Sequence, residues 1–173
     1  RCFLNYLIQD YVFLVHFARA WSMAVVKSET LEEMKTCATT VDALVNHEMA
    51  LHIRTCAAAG IDEAALFTAT EAPANLAYTR YVLDAGMQGD FLDLMTALLP
   101  CVMGYGEIGQ RLAQTCSADT QALCQTVGAM VDAAVARRIG DFETAPRRAA
   151  LQNRFSTATR LEVGFWQMGL DLP

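Results

Sequence analysis

Leu98-Leu99-Pro100-Cys101-Val102-Met103-Gly104-Tyr105-Gly106-Glu107-Ile108-Gly109 sits inside what otherwise reads as one long helix, and it breaks that helix's rules. A proline in a helix interior costs about 3 kcal/mol and each glycine about 1 kcal/mol relative to alanine, so the segment gives up local stability unless its surroundings compensate. Departures of that kind mark working sites. The thiol of the segment, Cys101, stands four residues before Tyr105, so the two share a helix face and can line the same pocket. Glu107 points away from that face and reads as a structural hydrogen-bonding group.

Outward from this segment, apolar residues recur at helical spacing almost throughout, and no alternating stretch of β-branched residues bounded by turns is present. The chain therefore reads as all-α. A first helix is predicted over residues 2–27. Ser28 and the capping box Thr30-x-x-Glu33 open a second, which runs without interruption to Gly60 as its stop. A loop holding Thr68, Thr70 and Pro73 leads to a third helix over residues 74–85. The turn Gly86-Met87-Gln88-Gly89 then hands over at the N-cap Asp90 to the helix of Cys101. Ser117 or Asp119 starts the next, ending by Gly140. Thr144, with Pro146 as the first helical residue, opens the last, which extends to about residue 168. Long helices with short connections imply a bundle of antiparallel neighbours. Residue 1 already lies in the apolar pattern with no cap before it, so the reading is a single helical domain, residues 1–173, that lacks a leading helix.

Of the 173 residues 54% are hydrophobic, with eight Met and eight Phe, a composition suited to helices buried on most sides. That apolar excess also points to contacts between subunits. No run reaches 18 uncharged apolar residues, so no membrane span is expected. The amino-terminal segment carries Arg1, Asp10, Arg19 and Lys27 and lacks a cleavage site, which excludes a signal peptide and makes the cytoplasm the default location. The net charge of −6 carries no clustered basic footprint, so no nucleic-acid partner is expected. Six widely spaced cysteines without a CxxC pair read as reduced thiols.

Two acids stand on aromatic stripes. Asp10 shares a face with Tyr6, Phe13 and Phe17, and Glu162 is followed at helical spacing by Phe165 and Trp166. A carboxylate held among rings must be paired or hydrogen-bonded, or it takes up a proton. With Cys101, Tyr105 and Tyr78-Thr79-Arg80-Tyr81, these residues describe a closed pocket of rings, two acids and a thiol. Such a pocket suits a flat, polar heteroaromatic ligand, with rings on its faces and acids at its edge nitrogens. Glu48 and His52 stand at i,i+4, yet neither HExxH nor repeated ExxH is present, so a packed Glu-His hydrogen bond between helices is the preferred reading over a metal site.

Gln9-Asp10-Tyr11 with Phe17-Ala18-Arg19, Glu48-x3-His52, Ala77-Tyr78-Thr79, Leu98-x-Pro100-Cys101-x3-Tyr105-x-Glu107-Ile108-Gly109 and Glu162-x2-Phe165-Trp166-x-Met168 follow one another in the order seen in the TenA, or thiaminase II, family, which this chain resembles over nearly its whole length. The resemblance implies a heme-oxygenase-like helical bundle, a homotetramer, and hydrolysis of an aminomethyl-pyrimidine, or of thiamin, to hydroxymethyl-pyrimidine for salvage, with no metal or organic cofactor. By the same resemblance Cys101 is the nucleophile that adds to the pyrimidine ring and Glu162 the acid and base. Asp10 accepts from the exocyclic amine, Tyr78 and Tyr105 hydrogen-bond or stack around the ring, and Phe165 forms part of the wall. Phe13 stands where the family commonly has a second tyrosine. The stretch Leu123-Cys124-Gln125-Thr126-Val127-Gly128 lacks the family's tryptophan and tyrosine. These departures bear on substrate choice and leave room for a pyrimidine-binding or regulatory protein with little turnover. His16 stands where a heme-binding relative of the fold would place an axial ligand, but its neighbours match the salvage enzymes.

Overall fold

The capping box at Thr30 forms as the residues dictate. Its hydroxyl accepts from the Glu33 N–H at 3.2 Å, and the Glu33 carboxylate accepts from the Thr30 N–H at 3.3 Å. A computed structural model describes residues 1–112 and 118–171. Its elements are α1 (Cys2–Lys27), α2 (Leu31–Ala43), a π-helical turn (Leu44–Glu48), α3 (Met49–Ala58), α4 (Glu63–Phe67), α5 (Pro73–Gln88), α6 (Phe91–Leu112), α7 (Ala118–Arg138) and α8 (Arg148–Leu170). No strand occurs among the described residues, and the chain is the helical bundle that its periodicity predicts.

Helices α1, α5, α6 and α8 pack on one another as the inner quartet, α2 and α3 flank α1, and α7 lies against α6 and α2. Trp21, Tyr78, Phe91, Leu94, Met95, Leu98 and Val127 fill the centre. Each fully buried side chain of this size contributes about 1.5–3 kcal/mol, and that burial offsets what Pro100 and the glycines cost α6, which stays helical across them. A smaller cluster of Leu7, Tyr11, Cys56 and Leu66 joins α1 to α3 and α4. The apolar stretch of α6 is long enough to reach across a bilayer, but more than half of it is buried inside the bundle, and core packing accounts for its composition. Cys2, Cys37, Cys56 and Cys101 are free thiols.

Four local expectations are corrected. The second helix is not continuous, since the π turn adds one residue to the winding between α2 and α3. An uninterrupted helix would carry the buried stripe Cys37, Thr40, Leu44 on to Leu51; instead Leu51 is 50% exposed and His52 is 7% exposed. Residues 86–88 remain helical. Gly86 is there for close approach, because a Cβ at that position would collide with the Met23 sulfur and crowd Leu94. The segment before Pro73 contains the short helix α4, capped by the Asp62 carboxylate on the Ala65 N–H at 2.8 Å. The last helix begins at Arg148 rather than beside Pro146, because Thr144 turns back to the Asp141 carbonyl and carboxylate. The expected start at Ser117 lies outside the described residues.

Candidate active site

Each helix of the inner quartet delivers acids, rings or a thiol to one buried region: Asp10 and Phe13 from α1, Tyr78 from α5, Cys101 and Tyr105 from α6, Glu162 and Phe165 from α8. The spacing that makes each helix amphipathic is what aims these groups inward. The charges of Glu162 and Asp10 both act on the Cys101 sulfur, and the Cys101 backbone lies against the Tyr78 hydroxyl. Sulfur and carboxyl thus lie within electrostatic reach of each other in the buried core.

The rings form a continuous lining. Phe13 stacks on Tyr78 with centroids 5.3 Å apart and meets Phe165 at 5.1 Å. Tyr6 stacks on Trp166 at 5.1 Å, and Tyr105 tilts against the same indole at 5.3 Å. The Tyr6 and Tyr105 hydroxyls are hydrogen-bonded to each other. Neither of two cavities elsewhere in the molecule, one of about 700 Å³ between α6, α7 and α8 and one of about 230 Å³ beside His16, borders Cys101 or Glu162.

The carboxyl of Glu162 is divided in function. Oε1 accepts from the Trp166 indole N–H at 2.9 Å, whereas Oε2 is buried with no hydrogen-bond partner, as is the Tyr78 hydroxyl that faces it. Buried polar atoms left unpaired are costly and uncommon, and these two face each other across α5 and α8. Burial raises the Glu162 pKa above the usual carboxylate range, with Asp10 adding to the rise while Tyr78 and Trp166 oppose it. Burial also drives the Cys101 thiol well above its ordinary value, and Glu162 and Asp10 push it the same way. Cys101 therefore rests as a thiol, not as a stored thiolate. The Tyr6, Tyr78 and Tyr105 hydroxyls are raised as well, chiefly by burial, and remain protonated donors.

Asp10 has a partner that the sequence reading did not give it. The Asp10 Oδ2 lies 2.7 Å from His52 Nε2, and His52 Nδ1 lies 2.9 Å from the Glu48 backbone carbonyl. The expected Glu-His bond is thus made to the main chain of Glu48, and the interhelical bond is made to Asp10. The polar residue buried at a position where Leu51 would have continued the stripe was the available signal. Tyr6, on the Asp10 face, joins the cluster through its contacts with Tyr105 and Trp166. Glu107 lies outside the cluster, exposed and paired with Arg111 at 2.8 Å. His16 is engaged at the surface by Arg80, Arg19 and Glu71. Val127 packs in the core, and the Cys124 thiol donates to the Val102 carbonyl at 3.1 Å, next to Cys101. Among the described residues no group of three or more His, Cys, Asp and Glu side chains is arranged to hold a metal ion.

A model of the TENA/THI-4/PQQC family matches residues 1–172. An uncharacterized protein of Haemophilus influenzae is 38% identical over 99% of this chain and 84% of its own length. An aminopyrimidine aminohydrolase of Halalkalibacterium halodurans is 29% identical over 98% of this chain and 80% of its own. Among solved structures, a protein described as a TenA family transcription regulator from Silicibacter sp. TM1040 superposes with a TM-score of 0.94 at 54% identity, covering 99% of this chain and 82% of that one. A TenA homologue from Pyrococcus furiosus, at 17% identity and a TM-score of 0.82 over 97% of this chain and 83% of that one, shares the fold.

Proposed function

This chain belongs to the TENA/THI-4/PQQC family, and from that premise we propose that it is a hydrolase of thiamin salvage that converts an aminomethyl-pyrimidine, and thiamin as a second substrate, to hydroxymethyl-pyrimidine. The observation that supports the proposal is the nearness of Cys101, Glu162, Asp10 and Tyr78 in one buried region, where Glu162 Oε2 and Tyr78 Oη have no hydrogen-bond partner outside the cluster.

The chemistry follows from the protonation states. The Cys101 proton passes to the Glu162 carboxylate and on to a ring nitrogen of the pyrimidine as the sulfur bonds to the adjacent ring carbon. The thiol is thus spared free ionisation in an acidic, buried setting, and the ring is made electrophilic as it is attacked. The substrate's ammonium group then leaves the exocyclic methylene as ammonia. Water adds at that carbon and gives its proton to Glu162. Expulsion of the sulfur, which recovers the ring-nitrogen proton, restores the aromatic ring and the thiol, and ammonia takes the proton held by Glu162. The balance is R–CH2–NH3⁺ plus water giving R–CH2–OH plus NH4⁺. Asp10 accepts from the ring's exocyclic amine, and Phe13, Phe165 and Tyr105 enclose the ring faces.

The test is incubation of the purified protein with aminomethyl-pyrimidine and with thiamin, followed by chromatography of the products, alongside Cys101→Ala. Release of hydroxymethyl-pyrimidine is expected from the unaltered protein and none from the variant, whose helix content is retained. Product from the variant at the unaltered rate overturns the cysteine mechanism. Phe13, which removes a hydroxyl from the chamber, favours a second reading as a pyrimidine-binding protein, and binding without turnover of either compound selects it. A homotetramer and a cytoplasmic setting complete the proposal, the first tested by light scattering.

A further inference from the structure

A neutral imidazole donates through one ring nitrogen and accepts through the other, and His52 faces an acceptor on both sides. The Glu48 carbonyl, 2.9 Å from Nδ1, can only accept, so Nδ1 carries a hydrogen. Nε2 lies 2.7 Å from the Asp10 carboxylate, with the His52 and Asp10 side chains 8% and 9% exposed. A hydrogen on Nε2 as well makes the ring an imidazolium against a carboxylate. Burial opposes the charged ring, but the hydrogen bond and charge of Asp10 outweigh it and raise the His52 pKa, with Glu48 acting in the same sense. Asp10 across from α1 and Glu48 on the preceding turn are the charged groups that bear on this ring.

The backbone supplies a second, independent observation. The π turn of residues 44–48 is what turns His52 inward and Leu51 outward, at the expense of an apolar side chain left half exposed. Single π turns of this kind gather at functional sites. Fixing Oδ2 of Asp10 on His52 leaves the second oxygen of that carboxyl for the cluster around Cys101, whose sulfur feels the Asp10 charge.

We propose that His52 is a positioning residue for the hydrolase reaction: a buried imidazolium, clamped between the Glu48 carbonyl and Asp10, that fixes the Asp10 carboxyl and aims its second oxygen at the amino group of the pyrimidine. The proposal rests on the function assigned above and adds to it a residue that touches no substrate. It places the positive charge of the site on the remote side of Asp10, so that Cys101 keeps its proton until substrate arrives.

Two measurements test it, one independent of turnover. In ¹⁵N-labelled protein at pH 7.5, both His52 ring nitrogens are expected to show the chemical shifts of a doubly protonated imidazolium, and Asp10→Asn is expected to convert them to the neutral pattern. A neutral His52 in the unaltered protein overturns the proposal and leaves the hydrolase assignment standing. In steady-state assays His52→Gln, which keeps a neutral donor, is expected to raise KM for aminomethyl-pyrimidine at least tenfold while kcat falls less, and to move the acid limb of kcat/KM to higher pH. An unshifted acid limb with unaltered KM overturns it as well. Absence of turnover in the unaltered protein removes the hydrolase assignment, and the NMR result then decides the charge on His52 by itself. Where His52→Gln fails to fold by circular dichroism, the spectra of the unaltered protein carry the test.

Discussion

The indole N–H of Trp166 donates to Glu162 Oε1 at 2.9 Å, one helical turn along α8, and so fixes which oxygen of the acid is left for chemistry. Oε2 is the buried, unpartnered atom beside Tyr78, and the charge of Glu162 reaches the Cys101 sulfur. A side chain on the aromatic stripe thereby orients the carboxyl proposed as the acid and base.

Replacement of Glu162 by Gln preserves the shape of the side chain and removes its proton-transfer capacity. Turnover of aminomethyl-pyrimidine is expected to fall about 10²–10⁴-fold, measured as kcat by product chromatography. A rise in KM at constant kcat instead assigns Glu162 an orienting role.

Trp166→Phe keeps the ring that stacks on Tyr6 and deletes the donor to Oε1. The charged form of Glu162 loses a hydrogen bond, so its pKa, already raised by burial, rises further. Glu162 must be a carboxylate to receive the Cys101 proton. The acid limb of kcat/KM is therefore expected at higher pH in the variant, read from a pH–rate profile.

Two glycines two residues apart on α6, and so on nearly opposite faces, are expected to respond with opposite sign. A Cβ on Gly104 meets nothing within 4 Å, so Gly104→Ala gains about 1 kcal/mol of helix propensity. A Cβ on Gly106 collides with the Cys124 sulfur, and Gly106→Ala displaces the bond from Cys124 to the Val102 carbonyl, at a cost of about 1–3 kcal/mol. Urea unfolding of the two variants measures both.

Glu33 joins α2 to α7. It is buried, which alone would raise its pKa, but Arg138 and the Glu29 and Thr30 N–H groups hold it down at about 2, against an ordinary 4.5. A depressed folded-state value means that the carboxylate stabilises the fold fully above pH 4.5 and loses that effect as pH falls through about 2. Glu33→Gln is expected to cost about 3 kcal/mol at pH 7, with the difference from the unaltered protein narrowing from pH 4.5 downward in denaturant titrations at stepped pH.

The sequence by itself determined the all-α architecture, the bounds of α1, the capping box at Thr30 and the helix faces that carry Asp10, Cys101, Tyr105 and Glu162, because each depends on spacing along one helix. The π turn, the buried His52 and its clasp on Asp10 were decided only by tertiary structure. Nothing in residues 44–52 favours an extra residue per turn on local grounds; the register yields because two helices gain a charged hydrogen bond across their contact. The straight run of residues 86–88 has the same origin, since Gly86 serves the neighbouring Met23 and Leu94 rather than its own backbone. Protonation was likewise a tertiary property: whether Cys101 stores a thiolate depends on burial and on acids from three other helices, groups separated along the chain that only packing brings to one sulfur.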